Sequence, residues 1–149
     1  KNEEETKKVL KNGWLYTGDI GEFDREFLKI TDRKKDIIIT PGGDNISPIK
    51  IENNLNKSEF IEQSIVYGDN KPYLVSLIVI SHEHKKITEE QIQQEINKIN
   101  KNLSNIEKIK KFIIIKDKFT IENNMMTPTL KLKRYKIIKN YKIQLEKLF

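Results

Sequence analysis

The chain has 149 residues, 36% of them hydrophobic, and 28 Lys and Arg against 22 Asp and Glu give it a formal charge of +6. That length suffices for one domain with its own core, or for a small domain plus an extension. The chain has no cysteine, which excludes disulfide and thiolate-metal chemistry, and no apolar run approaches the roughly 20 residues of a membrane span. The excess of lysine reads as a solvated exterior. Few aromatics interleave with the lysines, so a base-stacking platform and a nucleic-acid partner are not expected.

Residues 1–12 are polar apart from Val9 and Leu10. They carry no signal-peptide pattern and read as a helix end or a disordered start, cut from a longer helix. Gly13 to Gly21 follows, with Gly18 and Gly21 around Asp19. Such a loop aims a carboxylate out of a strand end, or simply bonds it to nearby backbone N–H groups. Glu22 to Phe27 predicts a hairpin turn into a buried strand at Phe27, Leu28 and Ile30. Five charged residues, Asp32-Arg33-Lys34-Lys35-Asp36, separate that strand from a second apolar run at Ile37-Ile38-Ile39. Charges packed between two buried strands belong at a surface, a hinge or a ligand. Pro41-Gly42-Gly43-Asp44-Asn45 is a strong turn signal.

Ser47-Pro48 starts a short helix to about Asn56, with serine as cap and proline at the first helical position. Ile61–Tyr67 and Tyr73–Ile80 predict two core strands around a Gly68–Pro72 loop. His82 and His84 lack the spacing of a zinc motif and a third ligand, so no metal site is expected. Thr88 to Gln91 is a capping box. Ile92, Ile96, Ile99 and Leu103 then predict an amphipathic helix over Glu89–Lys101. Ile106 and Ile109 suggest a further helical turn, Phe112–Ile115 a buried strand, and Ile137, Tyr141, Leu145 and Leu148 a last helix over Arg134–Lys147. The loop between, Ile121 to Thr129, is either ordered or mobile. By spacing alone, Lys131 is one basic residue among many there, and Lys133 is an equal candidate for chemistry.

Tyr16-Thr17-Gly18-Asp19, the Phe27–Pro48 stretch and Thr127-Pro128-Thr129-Leu130-Lys131-Leu132-Lys133-Arg134 together resemble the adenylate-forming acyl-CoA synthetases and ligases, most closely their long-chain fatty acid branch. The resemblance runs from Gly13 to the C-terminus. It implies an α+β fold: a hairpin tail of a large domain over residues 1–31, a hinge at 32–36, and a C-terminal lid at 37–149 with a central sheet of about three strands flanked by helices. The large domain, with its phosphate loop, its Mg2+-coordinating Glu and its acyl pocket, is expected to be almost entirely missing from this chain.

By the same resemblance, Asp19 binds the ribose hydroxyls of the nucleotide, a task suited to an acceptor-only carboxylate. Arg33 makes a ribose or phosphate contact. Lys35 is the hinge residue, acting through its backbone dihedrals. Gly42 and Gly43 lie against the pantetheine arm of coenzyme A. Lys131 is the catalytic lysine, and its choice over Lys133 rests on the resemblance. Three positions depart from the usual pattern. No glycine precedes Phe27, so that turn must differ. Leu130 stands where glycine is common, which is itself typical of the long-chain branch. Asp44 stands where relatives often carry Lys or Glu, and no role is loaded onto it.

The implied activity is ATP- and Mg2+-dependent adenylation of a fatty acid, followed by lid rotation and acyl transfer to coenzyme A, with the fragment alone inactive. A cytoplasmic location is expected, compatible with peripheral membrane association. Two alternatives stand beside it: an adenylating enzyme with another acceptor, such as an acyl carrier protein, and a stand-alone basic module for anionic lipid or nucleic acid.

Overall fold

A computed structural model describes residues 2–84 and 86–149, without the side chain of Glu5. The chain divides into two compact units, Lys1–Asp36 and Ile37–Phe149. The first unit holds a short helix α1 (Glu3–Val9) and two hairpins, β1 (Leu10–Lys11) with β2 (Trp14–Leu15), and β3 (Asp19–Asp24) with β4 (Phe27–Arg33). The first hairpin turns on Asn12-Gly13, both with positive φ (51° and 79°), the dipeptide that a two-residue turn with two left-handed positions selects. The second turns on Arg25-Glu26, with Arg25 at φ 56°. The turn therefore forms without the usual glycine, by placing the left-handed residue one position earlier.

The predicted burial of the Phe27 strand is corrected here. Phe27 is 78% exposed and Leu28 61%. Trp14, Tyr16, Phe23 and Ile30 are exposed with them. A two-stranded ribbon has no second layer of its own to cover an apolar face.

The second unit contains β5 (Ile38–Ile39) paired with β6 (Asn45–Ile46), α2 (Pro48–Leu55), β7 (Ile61–Tyr67), β8 (Leu74–Ile80), α3 (Glu89–Asn100), β9 (Ile109–Ile115) and α4 (Arg134–Glu146). One sheet of order β7-β8-β9 lies at its centre, antiparallel between β7 and β8 and parallel between β8 and β9. The parallel pair requires a crossover, and α3 lies within that connection. This is the α+β fold expected, with a three-stranded sheet and helices on both faces.

Side chains on β8 alternate between two cores. Leu74 and Ile78 pack with Ile51 and Leu55 of α2 and Ile92 and Ile96 of α3. Val75, Leu77 and Val79 pack with Ile137 and Leu145 of α4. A central strand covered on both faces needs a nearly continuous apolar run, which Leu74–Ile80 supplies apart from Ser76, whose hydroxyl donates to Ile65 O at 3.1 Å.

Local signals set the helix starts. Ser47 Oγ accepts the Lys50 N–H at 3.2 Å, and Thr88 and Gln91 close the capping box on α3. One boundary differs from expectation. Ile109 begins β9 rather than continuing a helical turn, because Asn100 takes both backbone groups of Ile109, donating to its carbonyl at 2.8 Å and accepting its N–H at 2.9 Å. Ile106 does lie in a turn, closed by Glu107 N donating to Ser104 O.

Candidate active site

Asp19 and Arg33 face each other in the β3–β4 register, and Arg33 Nε lies 3.3 Å from Asp19 Oδ1. The sequence pointed to both residues but not to their pairing. Gly18, at φ 74°, turns the chain into β3 and gives its carbonyl to Lys34 N–H at 2.8 Å. Thr17 Oγ1 accepts the Asp19 N–H at 3.1 Å. Asp19 is thus fixed at the mouth of the hairpin with an oxygen edge and a guanidinium side by side. Lys35 is a central residue of the next turn, closed by Asp36 N–H donating to Arg33 O at 2.9 Å, and it is exposed.

Gly42 and Gly43 lie in a tight five-residue turn, Thr40-Pro41-Gly42-Gly43-Asp44, between β5 and β6. Gly43 N–H donates to Thr40 O at 2.9 Å and Thr40 N–H to Asp44 O at 3.0 Å, while Asp44 N–H donates to Thr40 Oγ1 at 3.0 Å. Gly43 is left-handed, at φ 88°. Asp44 folds back on its own turn and accepts the Thr40 hydroxyl at 3.1 Å. From outside the turn, Asp69 Oδ1 accepts the Ile39 N–H at 3.0 Å, and Asn70 N–H donates to Ile39 O at 2.8 Å.

Lys131 sits at the end of a second turn with the same construction. In Thr127-Pro128-Thr129-Leu130-Lys131, Leu130 N–H donates to Thr127 O at 2.9 Å and Thr127 N–H to Lys131 O at 2.8 Å. Lys131 N–H donates to Thr127 Oγ1 at 3.0 Å. Leu130 holds the left-handed position, at φ 60°. Proline suits the second residue of each turn, since its fixed φ matches that position, and the threonine hydroxyl closes each ring. A bridge between Met126 and Leu132, and Lys133 N–H on Met125 O at 2.8 Å, extend the second turn into a small hairpin. The loop left open as ordered or mobile from sequence is thus fixed by its own backbone bonds.

The two lysines of this hairpin differ. The Lys133 ammonium donates to Asn124 Oδ1 within the loop, whereas Lys131 is exposed and has no side-chain partner among the described residues.

Sequence inspection missed the contacts that hold this hairpin to the sheet. Arg134, the first residue of α4, pairs with Glu52 of α2 across 82 positions, and no local pattern announces a pair that far apart. At the far end of α4, Glu146 accepts from Lys71 Nζ at 2.5 Å and from the Tyr67 hydroxyl at 2.7 Å. Burial, helped by this carboxylate, pushes the Tyr67 phenol up to about 12, and the Lys71 ammonium holds Glu146 below the usual carboxylate range. His84 makes a T-shaped ring contact with Phe60, centroids 4.9 Å apart, and its Nε2 lies 3.8 Å from Glu59 Oε2. Among the described residues no cluster of three or more His, Cys, Asp or Glu could hold a metal ion, and no helix is long and apolar enough to cross a membrane. The described residues therefore offer no donor set for the Mg2+, whose coordinating Glu the resemblance places in the large domain.

A hairpin carrying a carboxylate–guanidinium pair is joined in sequence to an α+β unit with a glycine turn and a lysine turn. Residues 35–149 match the family model for the AMP-binding enzyme C-terminal domain, and the chain belongs to that family. It is 32% identical over its whole length to the long-chain-fatty-acid–CoA ligase FadD15 of Mycobacterium tuberculosis and 36% identical to long-chain-fatty-acid–CoA ligase 6 of Rattus norvegicus. It spans 28% and 25% of those two proteins. Among solved structures it resembles the adenylation domain of a carboxylate reductase from Mycobacterium chelonae, with a TM-score of 0.89 and 28% identity, covering 99% of this chain and 25% of that one.

Proposed function

We propose that this chain is the C-terminal part of an ATP-dependent long-chain fatty acid–CoA ligase, with residues 1–31 the tail of a large adenylating domain, 32–36 the hinge and 37–149 the lid. The exposed Lys131 ammonium at the tip of a backbone-closed hairpin carries this proposal, in a chain whose whole length aligns with long-chain ligases. The uncovered apolar face of the first unit suits a segment that belongs to a larger body.

In the first step a fatty acid carboxylate attacks the α-phosphate of ATP and pyrophosphate leaves. Two anions must approach, and charge builds on the departing oxygen. Lys131 offsets both, and its closed turn means little reorganisation is needed as the charge develops. Asp19 accepts the ribose hydroxyls while Arg33, beside it, meets ribose or phosphate. Rotation about Lys35 then withdraws Lys131 and presents Gly42-Gly43, where a bare backbone admits the pantetheine arm of coenzyme A. Mg2+ is assigned no step on these residues. Cytoplasmic placement, with or without peripheral membrane contact, belongs to the same proposal.

The test is pyrophosphate exchange by the full-length enzyme. Lys131→Ala should lower it by about 10²–10³-fold, yet leave conversion of supplied acyl-adenylate and coenzyme A near the parent rate. Lys133→Ala should change neither step. Loss of exchange in Lys133→Ala with exchange intact in Lys131→Ala would move the catalytic role by two residues. Acyl transfer to an acyl carrier protein but not to free coenzyme A would replace the proposed acceptor.

A further inference from the structure

β7 is an edge strand. An edge strand aims alternate N–H and C=O groups away from the sheet, where no neighbouring strand meets them. Val66 is such a residue and is fully buried, so its outward groups are shut off from water and need partners. Two side chains provide them. Glu52 Oε1 accepts the Val66 N–H at 2.7 Å, and Arg134 Nη1 donates to the Val66 carbonyl at 3.1 Å. The remaining carboxylate oxygen, Oε2, accepts from Arg134 Nη2. One carboxylate and one guanidinium thus replace a missing strand residue, and they bond each other as well.

This is an expensive way to close an edge. The side chains of Glu52 and Arg134 are only 9% and 13% exposed, and burying two charges returns little net stability compared with an apolar pair. What the pair does provide is fixed geometry, because a planar fork bonded on two sides has one orientation. Its position in the chain gives that geometry a use. Glu52 belongs to α2, which packs on the sheet through Ile51 and Leu55. Arg134 opens α4 three residues after Lys131. The residue before it, Lys133, makes no side-chain cap on that helix, so the side-chain anchor at the entry of α4 is Arg134.

We propose that Glu52 and Arg134 are positioning residues for the adenylation step, holding the Thr127–Lys133 hairpin against the edge of β7 so that Lys131 projects in one direction. The proposal rests on the assignment of Lys131 as the adenylating lysine. The pair touches no substrate and acts through that hairpin.

Two variants of the full-length enzyme test it. Arg134→Lys keeps the charge and loses the fork. The double variant Glu52→Gln with Arg134→Met removes both charges together, so no buried ion is left alone. In each, the kcat of pyrophosphate exchange should fall about 10–100-fold, the scale of a reacting group displaced by about 1 Å. The KM for ATP should stay within about twofold, since uniform binding is untouched, and thioester formation from supplied acyl-adenylate should stay within about threefold on the same ground. Parent-level exchange in the folded double variant overturns the proposal, as does an equal loss in both half-reactions. If the double variant does not fold, Arg134→Lys decides by the same criteria.

Lys131→Ala, assayed in parallel, separates the two ideas. Should exchange survive that change, the lysine assignment fails, and amide hydrogen exchange of residues 127–133 then judges the clamp. Faster exchange in Arg134→Lys upholds positioning of the hairpin, and unchanged protection overturns it.

Discussion

Gly42 and Gly43 are adjacent, yet the structure gives them opposite demands. An alanine Cβ at Gly42 would lie 3.4 Å from Asp44 Oδ2 and 3.6 Å from Thr40 Oγ1, ordinary van der Waals distances. Its backbone is not left-handed. The fold therefore does not need glycine there, and Gly42→Ala should leave stability unchanged or raise it by up to about 0.4–1 kcal/mol through a stiffer unfolded chain. Gly43 has open space around its missing Cβ but sits at φ 88°, where an L side chain costs about 1–2 kcal/mol. Gly43→Ala should therefore destabilise the fold by about 1 kcal/mol after the same offset. The proposed function orders these variants differently. If the turn approaches the pantetheine arm by its backbone, a methyl at Gly42 displaces the arm. Thioester formation from supplied acyl-adenylate should then fall on the order of 10–100-fold, with pyrophosphate exchange intact. Denaturant unfolding and the two half-reaction assays on the same preparations measure all of this. Full thioester activity in Gly42→Ala would remove the coenzyme A role from that residue. A stability loss above about 1 kcal/mol in Gly42→Ala would mean that the space seen around it is not there.

Asp19→Ala should raise the KM for ATP in pyrophosphate exchange about tenfold or more, the scale of a lost charge-assisted hydrogen bond, and an unchanged KM would take Asp19 out of the nucleotide site. Its fold should be unaffected, because the lost partner, Arg33, is largely exposed and such pairs contribute little to stability. Leu130→Gly should stabilise the hairpin by about 0.5–1 kcal/mol, since Leu130 is 71% exposed and left-handed and glycine removes the strain with little apolar burial to lose. A lower denaturation midpoint for Leu130→Gly would contradict that reasoning.

Much of the second unit is determined by short-range chemistry and was legible in the sequence. Ser47-Pro48 and the Thr88–Gln91 box start helices because their side chains satisfy backbone N–H groups within a turn of themselves. The nearly continuous apolar run at Leu74–Ile80, broken only by Ser76, marks a strand covered on both faces. Pro41 and Pro128 each mark a turn, since proline dictates its own φ. The matched construction of these two turns was not legible, because leucine at position 130 conceals a left-handed residue that glycine at 43 advertises.

Tertiary structure decided what depends on partners far along the chain. Phe27 and Leu28 carry an apolar strand pattern, yet they are exposed because pattern specifies a face that seeks cover and not whether cover is present. Ile109 has helix-compatible spacing, but the side-chain amide of Asn100 captures its backbone for the sheet. The meeting of Asp19 with Arg33 depends on a bulged register between β3 and β4, and a register is set by pairing rather than by either strand alone. Glu52 and Arg134 read as two charges among many until the sheet ends at β7 and leaves the outward N–H and C=O of Val66 without a strand partner. A buried edge must be satisfied by whatever the fold brings to it, and residues 82 positions apart are brought together only by the packing of α2 and α4 on the sheet.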